Sequence, residues 1–240
     1  MRSTIGRSFP RAALPRVAAL LLAIVPLIGA DAELTKARDA QDQAALQRIA
    51  SQASARAEKA EADAAVQYNA ALAESTLAEV AMEIRDKNLA RTASDAGMKA
   101  AERATVLKPD VAEYHRIFGT LCGQAAAATG GLGALKYGRC ALDEVNRAVQ
   151  LDAKAPMNYL SRGIGNYYLP SALGGGLDLA VKDFGKAAEL DGKLADAHLW
   201  MGLALRKLNR DAEARKEFQK AVVLDPGRVW ARQQLEKTPE

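Results

Sequence analysis

Small residues recurring in a fixed register confine this chain to paired helices stacked along one direction. Over residues 195–228, Gly202, Ala214, Phe218, Ala221 and Pro226 occupy positions 8, 20, 24, 27 and 32 of a 34-residue frame. Gly or Ala at positions 8 and 20 lets two antiparallel helices approach closely. Phe at 24 and Ala at 27 fill the gap to the next unit, and Pro at 32 stops the second helix. The set returns upstream as Ala180, Phe184 and Ala187 behind Gly163, then as Ala141, Val145 and Ala148 behind Gly119, then as Ala101, Ala104 and Pro109. Ala104 to Ala148 is 44 residues, Ala148 to Ala187 is 39, and Ala187 to Ala221 is 34. The helix pairs persist while the turns drift, by ten extra residues in one unit and five in the next. The five fall in segment 169–177, which carries Pro170 and Gly174, Gly175 and Gly176.

Composition points the same way. Aromatic residues make up 5% of the chain and there are eight Pro, so an Ala- and Leu-based core is expected, which suits close helix packing better than a sheet. Residues 33–107 carry fewer repeat markers, but helical spacing of apolar residues predicts helices over about 36–60, 62–88 and 91–107. The low hydrophobicity of the first leaves it open as a solvated arm, a coiled-coil segment or a frayed cap. A short helix over 228–237 is expected to solvate the last apolar face, as stacked repeats require.

The first thirty residues follow other rules. Arg2, Arg7, Arg11 and Arg16 precede an apolar stretch over 17–28, which is shorter than the roughly 20 residues a bilayer-spanning helix needs. Ala30-Asp31-Ala32 then offers a small-x-small processing site, with Gly29-Ala30 slightly earlier, so a cleaved signal peptide over 1–32 and a periplasmic destination are expected. An uncleaved inner-membrane anchor is the alternative. The intact chain carries +4, and residues 1–30 hold four Arg and no acid, so their removal leaves zero, while a cut after Ala32 also removes Asp31 and leaves +1. The basic pI thus belongs to the leader, and no nucleic-acid partner is expected.

With these residues in place, the chain resembles exported bacterial tetratricopeptide-repeat (TPR) proteins over about 62–236. The unequal spacing is also similar, more weakly, to the periplasmic TPR component of TRAP transporters and to the repeat domain of regulators of microtubule dynamics. The resemblance implies an all-α, right-handed superhelix of antiparallel helix pairs with a concave ligand face. The expected organisation is a signal peptide (1–32), an Ala-rich helical arm or cap (33–61), a degenerate helix pair (62–109) and an extended hairpin (110–153). A repeat with a Gly-rich turn insertion (154–192), a regular repeat (193–226) and a capping helix (227–240) complete it. By the same resemblance, positions 2, 5, 9 and 12 of each first helix line the concave face. That makes Glu113, Arg116, Asp196 and Arg206 candidate binding residues, with Tyr167 beside them and Thr120, Gly123, Met157, Leu160, Ile164, Leu199 and Leu203 between.

Other candidates carry rival readings. Cys122 and Cys140 sit at similar heights either side of a turn near Gly131, so they are either a disulfide or two buried thiols. Arg162 stands where the repeat wants a large apolar residue. It requires either a salt bridge or carbonyl clasp onto the 169–177 turn, or a ligand shared with Asn158, Tyr167 or Tyr168. The Gly174–176 run lacks the Lys-Ser or Lys-Thr of a phosphate loop and reads as a turn needing positive φ. His115 and His198, 83 residues apart, and the two Cys do not make a zinc site, and Trp200 and Trp230 read as apolar fillers. No cofactor and no catalytic constellation are expected. The reading is a non-enzymatic interaction scaffold or adaptor in the cell envelope, holding a protein or peptide on its concave face. The alternative is a periplasmic small-molecule-binding or transport-accessory protein, and the sequence leaves the oligomeric state open.

Overall fold

The computed structural model describes residues 27–239. The expected leader lies outside the described residues as far as position 26, and the first helix begins within its last stretch. The described residues form α1 (Leu27–Asp39), α2 (Gln43–Lys59), α3 (Ala64–Glu83), α4 (Lys87–Leu107), α5 (Ala112–Thr129) and α6 (Gly131–Leu151). There follow α7 (Pro156–Tyr168), a 3-10 turn (Ser171–Leu173), α8 (Leu177–Leu190), α9 (Ala195–Lys207), α10 (Asp211–Leu224) and α11 (Val229–Glu236). Neighbours in sequence pack as antiparallel pairs, α3 with α4, α5 with α6, α7 with α8 and α9 with α10. No helix among the described residues is long and apolar enough to cross a membrane.

The small-residue frame acts through close approach. A Cβ on Gly163 would lie 2.5 Å from Phe184, one on Gly202 2.7 Å from Phe218, and one on Gly119 2.7 Å from Val145. Position 8 is thus emptied so that the bulky group at position 24 can sit against bare backbone, a contact with no slack in a close-packed interior. Asp152, Asp191 and Asp225 accept a backbone N–H two residues on, each at 2.9–3.0 Å, so one Asx turn recurs after α6, α8 and α10, while Lys108 takes that place after α4.

At the N-terminal end the structure corrects the expected helices. The continuous helix over 36–60 is broken at 40–42, where Gln41 adopts φ 53° and Asp42 caps α2 by accepting from the Ala45 N–H at 3.0 Å. The helix expected over 62–88 stops at Glu83, because Arg85 takes φ 67° and Asp86 caps α4 through the Leu89 N–H. The segment is a packed part of the fold, not a solvated arm: Leu46 and Ala50 are fully buried against Leu77 and Val80 of α3.

Candidate functional site

First helices of successive pairs face the inside of the superhelix, and there they enclose a cavity of about 650 Å³. Its walls come from α1, α3, α5, α6, α7, α9 and α11, so both ends of the described chain contribute. The two enlarged hairpins build one side. Leu135, Gly138 and Leu142 of α6 stand beside Leu169, Pro170 and Leu173 of the inserted turn, and a Cβ on Gly138 would lie 3.7 Å from Leu169. The glycines make that turn: Gly174 and Gly176 adopt φ 88° and 129°, and a side chain on Gly175 would collide with the Leu169 carbonyl. Cys122 and Cys140 are joined by a disulfide with Cα atoms 5.9 Å apart, tying the two helices of the long hairpin together.

The lining is apolar with a few polar groups that already have partners. Arg116, buried, donates to Glu113 at 2.5 and 2.7 Å and to Ser161 at 3.2 Å. Burial pushes the Glu113 carboxyl up, but hydrogen bonds and charge from Arg116 outweigh it and hold the group below the usual carboxylate range. Gln124 donates to the Ser75 carbonyl at 2.9 Å, and Thr120 donates to the Arg116 carbonyl at 2.9 Å. Trp200, Trp230 and Tyr168 supply an aromatic wall, with the two indoles 5.3 Å apart and Tyr168 edge-on to Trp200 at 6.1 Å.

Of the five concave-face candidates, the cavity brings together Arg116 and Asp196, which line it alongside Thr120, Gly123, Met157, Leu160 and Ile164. Glu113 sits behind the wall, holding Arg116 and accepting from Tyr68 at 2.8 Å. Tyr168, not Tyr167, lines the cavity: Tyr167 packs edge-on to Trp200 with Lys207 3.9 Å above its ring. Arg206 points to the C-terminal segment, donating to Gln234 and Thr238.

Arg162 finds neither the 169–177 turn nor an open ligand site. It donates to both carboxylate oxygens of Asp183 at 2.6 and 2.9 Å, and Asn166 donates to the same group. Asp183 stands at repeat position 23, where the pairs on either side hold Glu144 and Glu217. Those two bond His115 and His198, each at 2.6 Å. An acid at position 23 with a position-4 or position-7 partner is therefore a second device shared by the last three pairs, and the alignment of the units carries its signal; the α3–α4 pair has Ala100 there. Arg162→Ala strands the buried Asp183 carboxylate with one amide, so it should cost about 1–3 kcal/mol in chemical denaturation. It should leave capture of a cavity ligand unchanged; a lost ligand with unchanged stability would reverse the assignment.

The structure also assembles a group that no motif announced. Arg228, at the N-terminal edge of α11 and 1% exposed, donates to Glu79 at 2.8 Å and to both oxygens of Glu83 on α3. Its buried Nε stands 3.6 Å from Asp196. Arg38 on α1 donates to Asp196 on α9 at 2.9 Å. Gln41 donates to Glu83 at 2.8 Å and accepts from Gln233 at 3.1 Å. This seam joins the first and last described helices and forms part of the cavity wall.

Comparison with known proteins bears on the fold. Residues 195–228 match the tetratricopeptide repeat family. Among solved structures the chain is similar to a thermophilic TPR protein of Thermus thermophilus, at 14% identity and a TM-score of 0.60, over 87% of this chain and 97% of that one. It is also similar to YrrB, described as a TPR protein with an unusual peptide-binding site, at 19% identity and a TM-score of 0.46, over 80% and 84%. A third is MamA of Desulfovibrio magneticus RS-1 from residue 41 onward, at 14% identity and 0.45, over 83% and 97%. No curated protein sequence matches the chain. The all-α TPR-type superhelix is the fold of this protein.

Proposed function

We propose that this chain is a non-enzymatic interaction module of the bacterial cell envelope whose concave cavity takes the apolar face of a helical segment from a partner protein. One observation carries the reading: an apolar cavity of about 650 Å³ in which Arg116, Ser161, Thr120, Ser75 and Gln124 are already bonded to one another or to backbone. An extended peptide brings unpaired backbone N–H and C=O groups, and each left unmatched costs about 1–3 kcal/mol. A helix satisfies its own backbone and presents side chains only, so it suits such a wall. The basic leader with its apolar stretch and small-x-small site supports export. A small apolar molecule is the second reading, favoured by the way the first and last described helices both line the cavity.

Gly165 gives access to a test, because it lines the cavity and a Cβ there meets nothing within 4 Å. A benzoylphenylalanine crosslinker at Leu173, on the rim, should yield a covalent adduct of polypeptide mass in the host. The same crosslinker at the exposed Lys216 of α10 should not. Filling the cavity with Gly165→Phe should cut the Leu173 adduct at least about ten-fold while the protein stays folded. An adduct of a few hundred daltons would transfer the assignment to the small molecule. Equal yields with and without Gly165→Phe would sink both readings.

A further inference from the structure

The seam is held differently from the packed helix pairs. One apolar cluster gathers Leu34, Ala37, Leu46 and Val80 on its N-terminal side, and another gathers Phe184, Trp200, Phe218 and Trp230 on its C-terminal side. Neither crosses it, and helices on opposite sides do not pack as the antiparallel pairs do. Long charged side chains span the gap. Two cations, Arg38 and Arg228, face four carboxyl groups: Asp39 on α1, Glu79 and Glu83 on α3, and Asp196 on α9. Tyr168 of α7 approaches Glu79 and Glu83 from the cavity, and Gln41 and Gln233 add neutral hydrogen bonds. With every carboxyl ionised the cluster holds excess negative charge away from water, a state that burial penalises.

We propose that the seam is a proton-controlled clasp: uptake of a proton by Glu83 draws the two ends of the superhelix together over the cavity, and its loss lets them part. Glu83 is the group placed for this. Its side chain is 2% exposed, it accepts from Arg228 and Gln41, and Glu79 lies one turn away on the same helix. Burial pushes Glu83 up to about 7; Arg228 pulls the other way, and Glu79 adds to the rise. Glu79 is raised too, by burial first. Burial pushes Asp196 up as well, but Arg38 and Arg228 outweigh it and keep it below the usual range.

The sign follows from linkage. In a parted seam Glu83 regains water and titrates near the ordinary carboxylate value, so the closed form binds the proton more tightly. Acidification through about 7 therefore favours closure, and the gain is complete once the pH reaches the open-form value. Raising the pH above 7 ionises Glu83 inside the seam and favours opening. The breaking of a salt bridge by acid would give the reverse. The clasp rests on the proposed binding site only for what its opening admits.

The test reads the seam itself. In the full chain, spin labels on Lys36→Cys and Glu236→Cys, both exposed positions, report the separation of α1 and α11 by pulsed dipolar spectroscopy. The closed-to-open ratio should rise roughly ten-fold from pH 8.5 to pH 6. Glu83→Gln, a neutral isostere of the protonated acid, should remain closed at both values and lose the pH response. A distance distribution indifferent to pH overturns the clasp. So does opening on acidification, or a Glu83→Gln protein that keeps the wild-type response. Nile red, added to the same samples, reports the apolar cavity separately. A pH-dependent distance without dye binding upholds the clasp and counts against the apolar-ligand reading.

Discussion

Arg228→Ala should lower the unfolding free energy by about 3–5 kcal/mol, among the largest losses available to a single substitution outside the apolar core. The guanidinium is 1% exposed and stands among Glu79, Glu83 and Asp196, with its remaining N–H on the Arg38 carbonyl at 3.3 Å. Truncation leaves three carboxyl groups crowded around a hole with Arg38 as the remaining cation. The cost comes from the uncompensated buried charge, not from the pair's net worth, and this distinguishes it from a surface ion pair worth about 0–1 kcal/mol. Adding Glu83→Gln to Arg228→Ala removes part of that charge and should restore a measurable share of the loss, which a double-mutant cycle in urea would read. If the two substitutions simply add, the coupling assigned to the seam is absent.

Phe218→Ala should cost about 3–5 kcal/mol by a different route. The ring is fully buried between α9 and α10, set against the backbone at Gly202, with Arg206 5.4 Å above its face. Because Gly202 has no side chain to collapse into the space, the cavity left behind stays empty. Hydrogen exchange should place the loss in α9, α10 and α11, since each unit of a stacked repeat depends on its neighbours. Val223→Ala on the same helix, where the side chain is 79% exposed, should change stability by less than about 0.5 kcal/mol. Equal losses at the two positions would contradict the packing described for this pair.

Much of the fold was legible because its signal is local and repeated. The frame of Gly202, Phe218 and Ala221 names a contact between two helices a few residues apart in the chain, and the same contact recurs at Gly163 and Gly119. The N-terminal boundaries were not legible from apolar spacing alone, since Gln41 and Arg85 turn the chain with residues that carry weaker turn signals than glycine. Asp42 and Asp86, just before α2 and α4, were the usable signals there. At the site, the positions carried over from the repeat located Arg116 and Asp196 on the cavity wall and missed Tyr168 by one residue, about 100° around the helix. Arg206 and Glu113 fell in the right register but are bound to Gln234 and to Arg116.

The sequence by itself therefore determined paired helices, their order and the two places where the hairpins grow, because each depends on neighbours along the chain. Only the tertiary structure decided that the enlarged hairpins converge on one side of a cavity. It alone decided that Arg38 and Arg228, 190 residues apart, meet the same Asp196. The physical reason is accumulation. The small rotation per helix pair that stacked repeats carry adds up along the stack until the first and last described helices face each other. No local spacing encodes that sum.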